Sequence, residues 1–347
     1  MPLLELTDLD RRIWEEELDE FVPQQIFDAH THIYRWAFHT SPDKESGPYR
    51  AFVKPGFEDV TYDMLDECDR LLMPGRRVER LSFPFPFSGG CDFEGSNSFL
   101  VDELRVHHQS AGLMLVHPDM SAEHIEQTIR ASGLIGLKPY RFFSSTGDAV
   151  HCRITDFLPE HQIAVADRLG LLIMMHLSRP DGIGDAQNLD DLEHLTQKYP
   201  GAKWILAHCG RSYSSWPIER AGDRLRNMPN TWFDTSSVCE SDAVAALLRC
   251  VGVEQVMYGS DDVPVGILRG KYVAFGYGWA YLSEQNHSLN LTHCDPRMTF
   301  TRYEQLRAMR RAADAVGLSQ TDIGAMFHDN AARLVNHVRI QNALNRP

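Results

Sequence analysis

From residue 113 onward, short aliphatic or β-branched runs alternate with stretches whose apolar residues recur at helical spacing. Residues 113–118 (LMLVHP) read as a strand and 121–132 as a helix. Ser121 is the N-cap candidate, although His124 stands where a capping box would want an acidic or amide side chain. The rhythm continues with strands at 134–140, 171–176, 204–208, 231–235 and 255–259, and with helices at 157–169, 188–198, 218–226 and 241–250. Repeated strand-then-helix units with short connections imply parallel strands joined by right-handed crossovers. Two earlier runs, 25–34 and 80–83, bring the count to eight. That count predicts an α/β fold of the (β/α)8 TIM-barrel type over an open sheet.

Outside this rhythm the pattern loosens. Residues 7–20 form an amphipathic leading helix closed by Pro23. The polar and aromatic segment 37–62, the Phe-, Pro- and Gly-rich segment 83–95 and the long segment 262–300 read as loops over the barrel mouth. Segments 301–317 and 319–338 read as closing helices. With no repeat beyond the strand–helix rhythm and no linker, the expectation is one domain over 1–347, with a leading helix in 1–24, the barrel in 25–300 and closing helices in 301–347.

Composition narrows the partners. With 43% apolar and 24% charged residues the chain is of ordinary globular type. A formal net charge of −14 disfavours nucleic acid and anionic membrane surfaces. No apolar run reaches the length of a membrane span, and residues 1–20 are acidic, unlike a signal peptide. Seven scattered cysteines without CxxC spacing read as reduced thiols of a cytoplasmic protein, with Cys209 a small filler at a strand end. The expected partner is a small molecule, and a homo-oligomer is compatible with everything above.

The candidate chemistry lies where the strands end. His30 and His32 stand two apart on the first strand, so both imidazoles point to one side. The C-terminal strand ends of a barrel face its reaction site. Reading off those ends adds Lys138, His176, His208 and Asp261. So many ligand-capable side chains at one buried mouth is hard to explain by packing, because buried polar groups need partners, and imidazoles with a carboxylate suit a divalent metal.

These residues sit in a larger pattern: Asp28-Ala29-His30-Thr31-His32, Gly136-Leu137-Lys138, Met175-His176, Ala207-His208-Cys209-Gly210, Phe233-Asp234-Thr235-Ser236, Tyr258-Gly259-Ser260-Asp261 and Asn330-Ala331-Ala332-Arg333-Leu334. In that order the chain resembles the amidohydrolase superfamily, in the branch of metal-dependent enzymes that includes aminocarboxymuconate-semialdehyde decarboxylase. The resemblance implies that His30, His32, His176 and Asp261 bind one divalent ion, with Zn2+ expected and Mn2+ the alternative. It also implies that His208 activates or positions water and that Asp261 passes a proton. In some branches a lysine at the place of Lys138 is carboxylated and bridges two metals; in the branch resembled here it commonly accompanies one, and a mononuclear site is expected. The segment 259–264 departs from the usual Gly-Ser-Asp-x-Pro spacing by one residue, so Asp261 and Asp262 compete as ligand, with the Gly-Ser context favouring Asp261.

Around this centre, Lys138, Tyr140, Arg141, Arg179, Arg211 and Asp234 are candidates for contact with substrate or for holding a ligand, as is Arg35 at the first strand end. Guanidinium forks suit carboxylates, so arginines at the mouth of an acidic protein point to an anionic substrate. Trp36, Phe83, Phe85, Tyr213 and Tyr272 are candidates for the pocket wall. The function expected is metal-dependent hydrolysis of an amide, ester or lactone bond in a small carboxylated molecule. The alternative is non-oxidative decarboxylation of a small, carboxylated, aromatic acid.

Overall fold

The computed structural model describes residues 3–47, 50, 53–284 and 291–344. Eight barrel strands follow one another along the chain: β1 (Gln25–Arg35), β2 (Arg77–Pro84), β3 (Ala111–Gly112 continued by Met114–Val116), β4 (Gly136–Pro139), β5 (Leu172–Met175), β6 (Lys203–Leu206), β7 (Thr231–Asp234) and β8 (Val256–Met257). Each pairs in parallel with the next. The ring closes between β8 and β1, where the Ala29 amide donates to the Tyr258 carbonyl at 2.9 Å and the Asp261 amide to the His30 carbonyl at 2.9 Å. The chain therefore folds as the (β/α)8 barrel expected of its eight apolar runs.

Aliphatic and aromatic side chains fill the barrel: Phe27 and Ala29 from β1, Leu81 and Phe83 from β2, Leu172 and Met174 from β5, Ile205 from β6 and Met257 from β8. The C-terminal helix Asn330–Leu344 packs Ala331, Leu334, Val335 and Val338 onto them. It lies across the N-terminal strand ends, since Arg339 donates to the Gln109 carbonyl just before β3 (3.1 Å) and Lys203, the first residue of β6, reaches Gln341 (3.2 Å). One end of the barrel is thus plugged with apolar groups. Polar chemistry is left to the other.

The expected helices are largely present, with breaks where Pro and Gly dictate them. Ser121 caps Ala122–Ser132 by accepting from the His124 amide. The stretch expected at 157–169 divides at Pro159 into Ile154–Phe157 and Glu160–Leu169, and that at 218–226 breaks at Gly222, which takes φ 51°. The leading helix runs Asp8–Ile13 and on through Trp14–Leu18. Two helices went unread, Tyr62–Leu72 and Phe93–Leu104. The first is a mixed stretch of acidic and apolar residues, and the second begins inside a Gly- and Phe-rich segment that reads as loop. The segment read as a loop at 262–300 holds an antiparallel hairpin, β9 (Gly270–Phe275) and β10 (Gly278–Ser283), which folds back over the mouth. Among the described residues no helix is long and apolar enough to cross a membrane.

Candidate metal centre

A register shift in β1 between Asp28 and Thr31 sets the parity of the first two histidines. Below it the odd residues Phe27 and Ala29 face the barrel interior; above it His30 and His32 do, while Ile33 packs outside. One extra residue in a strand turns every later side chain over, and here that brings both imidazoles onto the mouth. Their ring centroids are 5.4 Å apart, and both rings meet the edge of Phe83 at 4.8 Å. Gly259 makes room for this: a Cβ there would come within 2.8 Å of the His30 Cβ.

Three further strand ends deliver their groups to the same spot. Asp234, the last residue of β7, accepts from His30 Nδ1 at 2.9 Å through one oxygen and from the His208 and Ser236 amides, each at 3.0 Å, through the other. His208 follows β6 in a left-handed turn, with φ of 57°, 53°, 70° and 60° from His208 to Arg211, closed by the Ser212 amide on the His208 carbonyl at 2.8 Å. Non-glycine residues adopt that conformation at a cost of roughly 1–2 kcal/mol each, and such runs mark sites where aim outweighs stability. Asp261, just past β8, faces His30 Nε2 at 3.4 Å and His32 Nε2 at 3.3 Å, and its second oxygen accepts from the Ser237 hydroxyl at 2.6 Å.

The protonation states follow from these partners. Burial pushes His30 down to about 4, against the pull of Asp234, so the ring is neutral near pH 7. Burial also lowers His32 and, beside His208 and the cations around it, His176. Burial by itself would raise Asp234 and Asp261, but the histidines and hydrogen bonds around them outweigh it and hold both carboxyls well below the usual range. Asp234 can only accept, so the single proton of neutral His30 sits on Nδ1. His30 Nε2 is then a bare lone pair, buried, without a hydrogen-bond donor, and aimed at a carboxylate oxygen. Two acceptors facing each other in a dry site fit a cation between them. His30, His32 and Asp261 have ligand atoms within 4.8 Å of one another, as do His30, His208 and Asp234. The donor set of imidazoles and a carboxylate fits a divalent transition metal.

Of the other residues singled out from the sequence, His176 stands beside His208 with ring centroids 5.1 Å apart, and it falls outside both close groups. Its Nδ1 donates to the Leu177 carbonyl at 3.1 Å, which leaves Nε2 as the nitrogen free to ligate. Among the described residues Lys138 is fully buried with no hydrogen-bond partner for Nζ, which lies 4.2 Å from the Phe83 ring centre and 4.9 Å from that of Tyr140. Burial lowers it to about 7 despite Asp234 and Asp261. Arg211 donates to the Arg179 carbonyl and lies over Trp279; burial and the nearby charge of Arg141 lower it. Arg141 reaches the Ala149 carbonyl at 2.5 Å. Arg179 is turned aside to Asp185 at 3.1 Å, and Arg35 lies on Phe99 at 4.6 Å. Trp36 packs on His39 and Phe87, away from the cluster. Tyr213, by contrast, stacks toward His208 at 6.1 Å and packs on Tyr272 and Trp279 of the hairpin at 4.5 and 4.4 Å, forming one wall.

Of the two adjacent aspartates, Asp261 faces the histidines, whereas Asp262 turns away to Arg302. Sequence reading missed Ser236, whose hydroxyl donates to Asp234 and lies 2.9 Å from His208 Nδ1, as well as Ser237 and Trp279. Ser236 ends the Phe233–Ser236 motif and Ser237 follows it, and only that adjacency signalled them.

With this geometry in view, a family model described as amidohydrolase matches residues 93–336. The chain belongs to the amidohydrolase family. No curated protein matches it. Among solved structures it is similar to an amidohydrolase from Burkholderia multivorans with bound zinc, at 15% identity and TM-score 0.56, covering 90% of this chain and 99% of that one. A dihydroxybenzoic acid decarboxylase from Polaromonas, holding manganese and the inhibitor 2-nitroresorcinol, matches at 13% identity and TM-score 0.54, over 92% and 99%. A candidate 2-pyrone-4,6-dicarboxylic acid hydrolase from Pseudomonas putida matches at 15% and 0.55, over 91% and 98%. At these identities the likeness concerns the fold, which hydrolases and decarboxylases share.

Proposed function

We propose that this protein is a metal-dependent hydrolase with one divalent ion, Zn2+ or else Mn2+, held by His30, His32, His176 and Asp261, and that it cleaves an amide, ester or lactone bond in a small carboxylated substrate. The observation that carries the reading is the bare Nε2 of His30 aimed at Asp261 inside a buried cluster. When bound, such an ion supplies a Lewis acid for a carbonyl and makes water a stronger acid. His208 takes the proton: its Nδ1 lies 2.9 Å from the Ser236 carbonyl, to which it can only donate, so Nε2 is the accepting nitrogen. Asp261, ionised and anchored by Ser237, takes the second proton of that water and passes it to the leaving group. Arg211 has no carboxylate partner among the described residues, and Lys138 has no hydrogen-bond partner. Together with Arg141 they bind the substrate's negative charge, while Tyr140, Tyr213, Tyr272 and Trp279 exclude water around it. Asp234 holds His30 and the His208 backbone in register.

Decarboxylation is the second reading, favoured by the aromatic wall beside two guanidinium groups, which suits a planar carboxylated ring. The test is protein purified without added ions, analysed for metal, and assayed before and after chelation on lactones, amides and aromatic acids. Metal present, activity lost on chelation and an acid released support hydrolysis. Release of CO2 supports the second reading. No metal and no chelation-sensitive activity sinks both.

A further inference from the structure

Behind the ligand turn runs a buried ladder of alternating charge that the chemistry above leaves unused. Asp262 pairs with Arg302, at the start of the helix Thr301–Val316. Arg302 pairs as well with Asp69 of the helix Tyr62–Leu72, Asp69 with Arg80 of β2, and Arg80 with half-exposed Asp66 at 2.7 Å. None of the four inner side chains is more than 8% exposed. Apolar residues of the same volume commonly give equal or better stability than buried ion pairs, so stability alone does not account for this ladder. What it supplies is a fixed arrangement.

The backbone at its inner end is knitted to the ligand strand. The Ser260 amide donates to Asp28 at 2.8 Å, the Asp261 amide to the His30 carbonyl at 2.9 Å, and the His32 amide to the Asp262 carbonyl at 2.5 Å. Asp261 takes φ 63°, which persists in a non-glycine residue only where its surroundings impose it. Gly266 closes over Asp262 from the far side, where a Cβ would sit 1.8 Å from the carboxylate. The segment that carries Asp262, Gly259 to Pro264, is also one residue longer than the Gly-Ser-Asp-x-Pro spacing.

We infer that Arg302, through Asp262, is a positioning residue that holds the Asp261 turn against His30 and His32 in the geometry that accepts the metal. The inference rests on the reading of those three residues as ligands. Its test is the Zn2+ affinity of metal-free wild type, Arg302→Met and Arg302→Gln, titrated against a chromophoric chelator, with the melting temperature of each apo protein as the check on folding. The sign of the change discriminates. Removing a nearby cation relieves Coulomb repulsion and should tighten Zn2+ binding, whereas removing a positioning group should loosen it. The expected result is a Kd at least tenfold weaker in the folded variants. A Kd equal to or tighter than wild type overturns the inference. If neither variant folds, Arg302→Lys carries the same criterion, since it keeps the charge but not the two-pronged geometry. Wild type that takes up no Zn2+ would instead be a failure of the ligand reading itself.

Discussion

The two sides of the barrel mouth treat their polar groups in opposite ways. Along β7, β8 and β1, Asp234 ties His30 and the His208 backbone, Ser236 backs His208, and Ser237 grips Asp261. Along β4 to β6, Lys138 has ring faces around its ammonium and feels Asp234 and Asp261 only from beyond hydrogen-bonding reach, and Arg211 has a backbone carbonyl and an indole. Groups already satisfied by protein are set before any substrate arrives, which is what bond-making chemistry needs. A buried cation with no carboxylate in hydrogen-bonding contact gains a direct partner only when a ligand brings one. Under the proposed function, the first side would define the reaction and the second what is admitted to it.

Changes on the first side should be the most damaging. Asp261→Asn removes the carboxylate that faces both histidines. A metal contributes several kcal/mol to the transition state, so kcat/KM should fall by about a thousandfold or more. The metal content of the purified variant checks the cause, and full occupancy with wild-type activity would refute the ligand role. Asp234→Asn keeps the shape but weakens the hold on His30. Partners of metal ligands typically matter by about 10–100-fold in metal affinity or activity. A chelator titration should place Asp234→Asn in that range, and a value at wild-type level would break the contrast between the two sides.

How far this could be read from the chain follows the same division. Strand runs and the spacing of His30 and His32 were legible because period is written locally: Ile26 to Tyr34 reads as a strand whichever fold encloses it, while the register shift that turns the pair inward does not show in the sequence. The aim of each group was not. The left-handed turn at 208–211 comes from packing around β6, and only one of its four residues is glycine. Whether Arg179 faced substrate or Asp185 depended on a helix N-terminus six residues on, where Asp185 accepts from the Gln187 and Asn188 amides. Helix Tyr62–Leu72 carries an apolar stripe of Tyr62, Leu65, Cys68 and Leu72, but Asp69 interrupts it, buried against two arginines. Buried charge defeats any reading that equates polar with exposed.

On the admitting side the effects should be smaller and selective. Arg211→Met should raise KM for carboxylated substrates by about tenfold, the worth of roughly 1.4 kcal/mol, with little change in kcat. Uncharged analogues of the same substrates should show no such shift. An equal loss for both would mean that Arg211 serves the fold and not recognition.

Lys138 gives the finest test, because there stability and function should move in opposite directions. Its ammonium is buried among rings with no hydrogen-bond partner, and burial lowers it from 10.5 to about 7. Between those values the unfolded chain holds a proton that the native chain has released. The unfolded state then binds more protons, so the stability of the metal-free protein should rise with pH from about 7 toward 10. Lys138→Met fills the same space without the charge. It should flatten that slope and stabilise the apo protein near pH 6 by on the order of 1–4 kcal/mol, while weakening the hold on anionic substrates. Denaturant melts across that pH range, set beside KM, decide the matter. A variant less stable than wild type, with the slope intact, would mean that the lysine finds its counter-charge within the protein, and the contrast between the two walls would not hold.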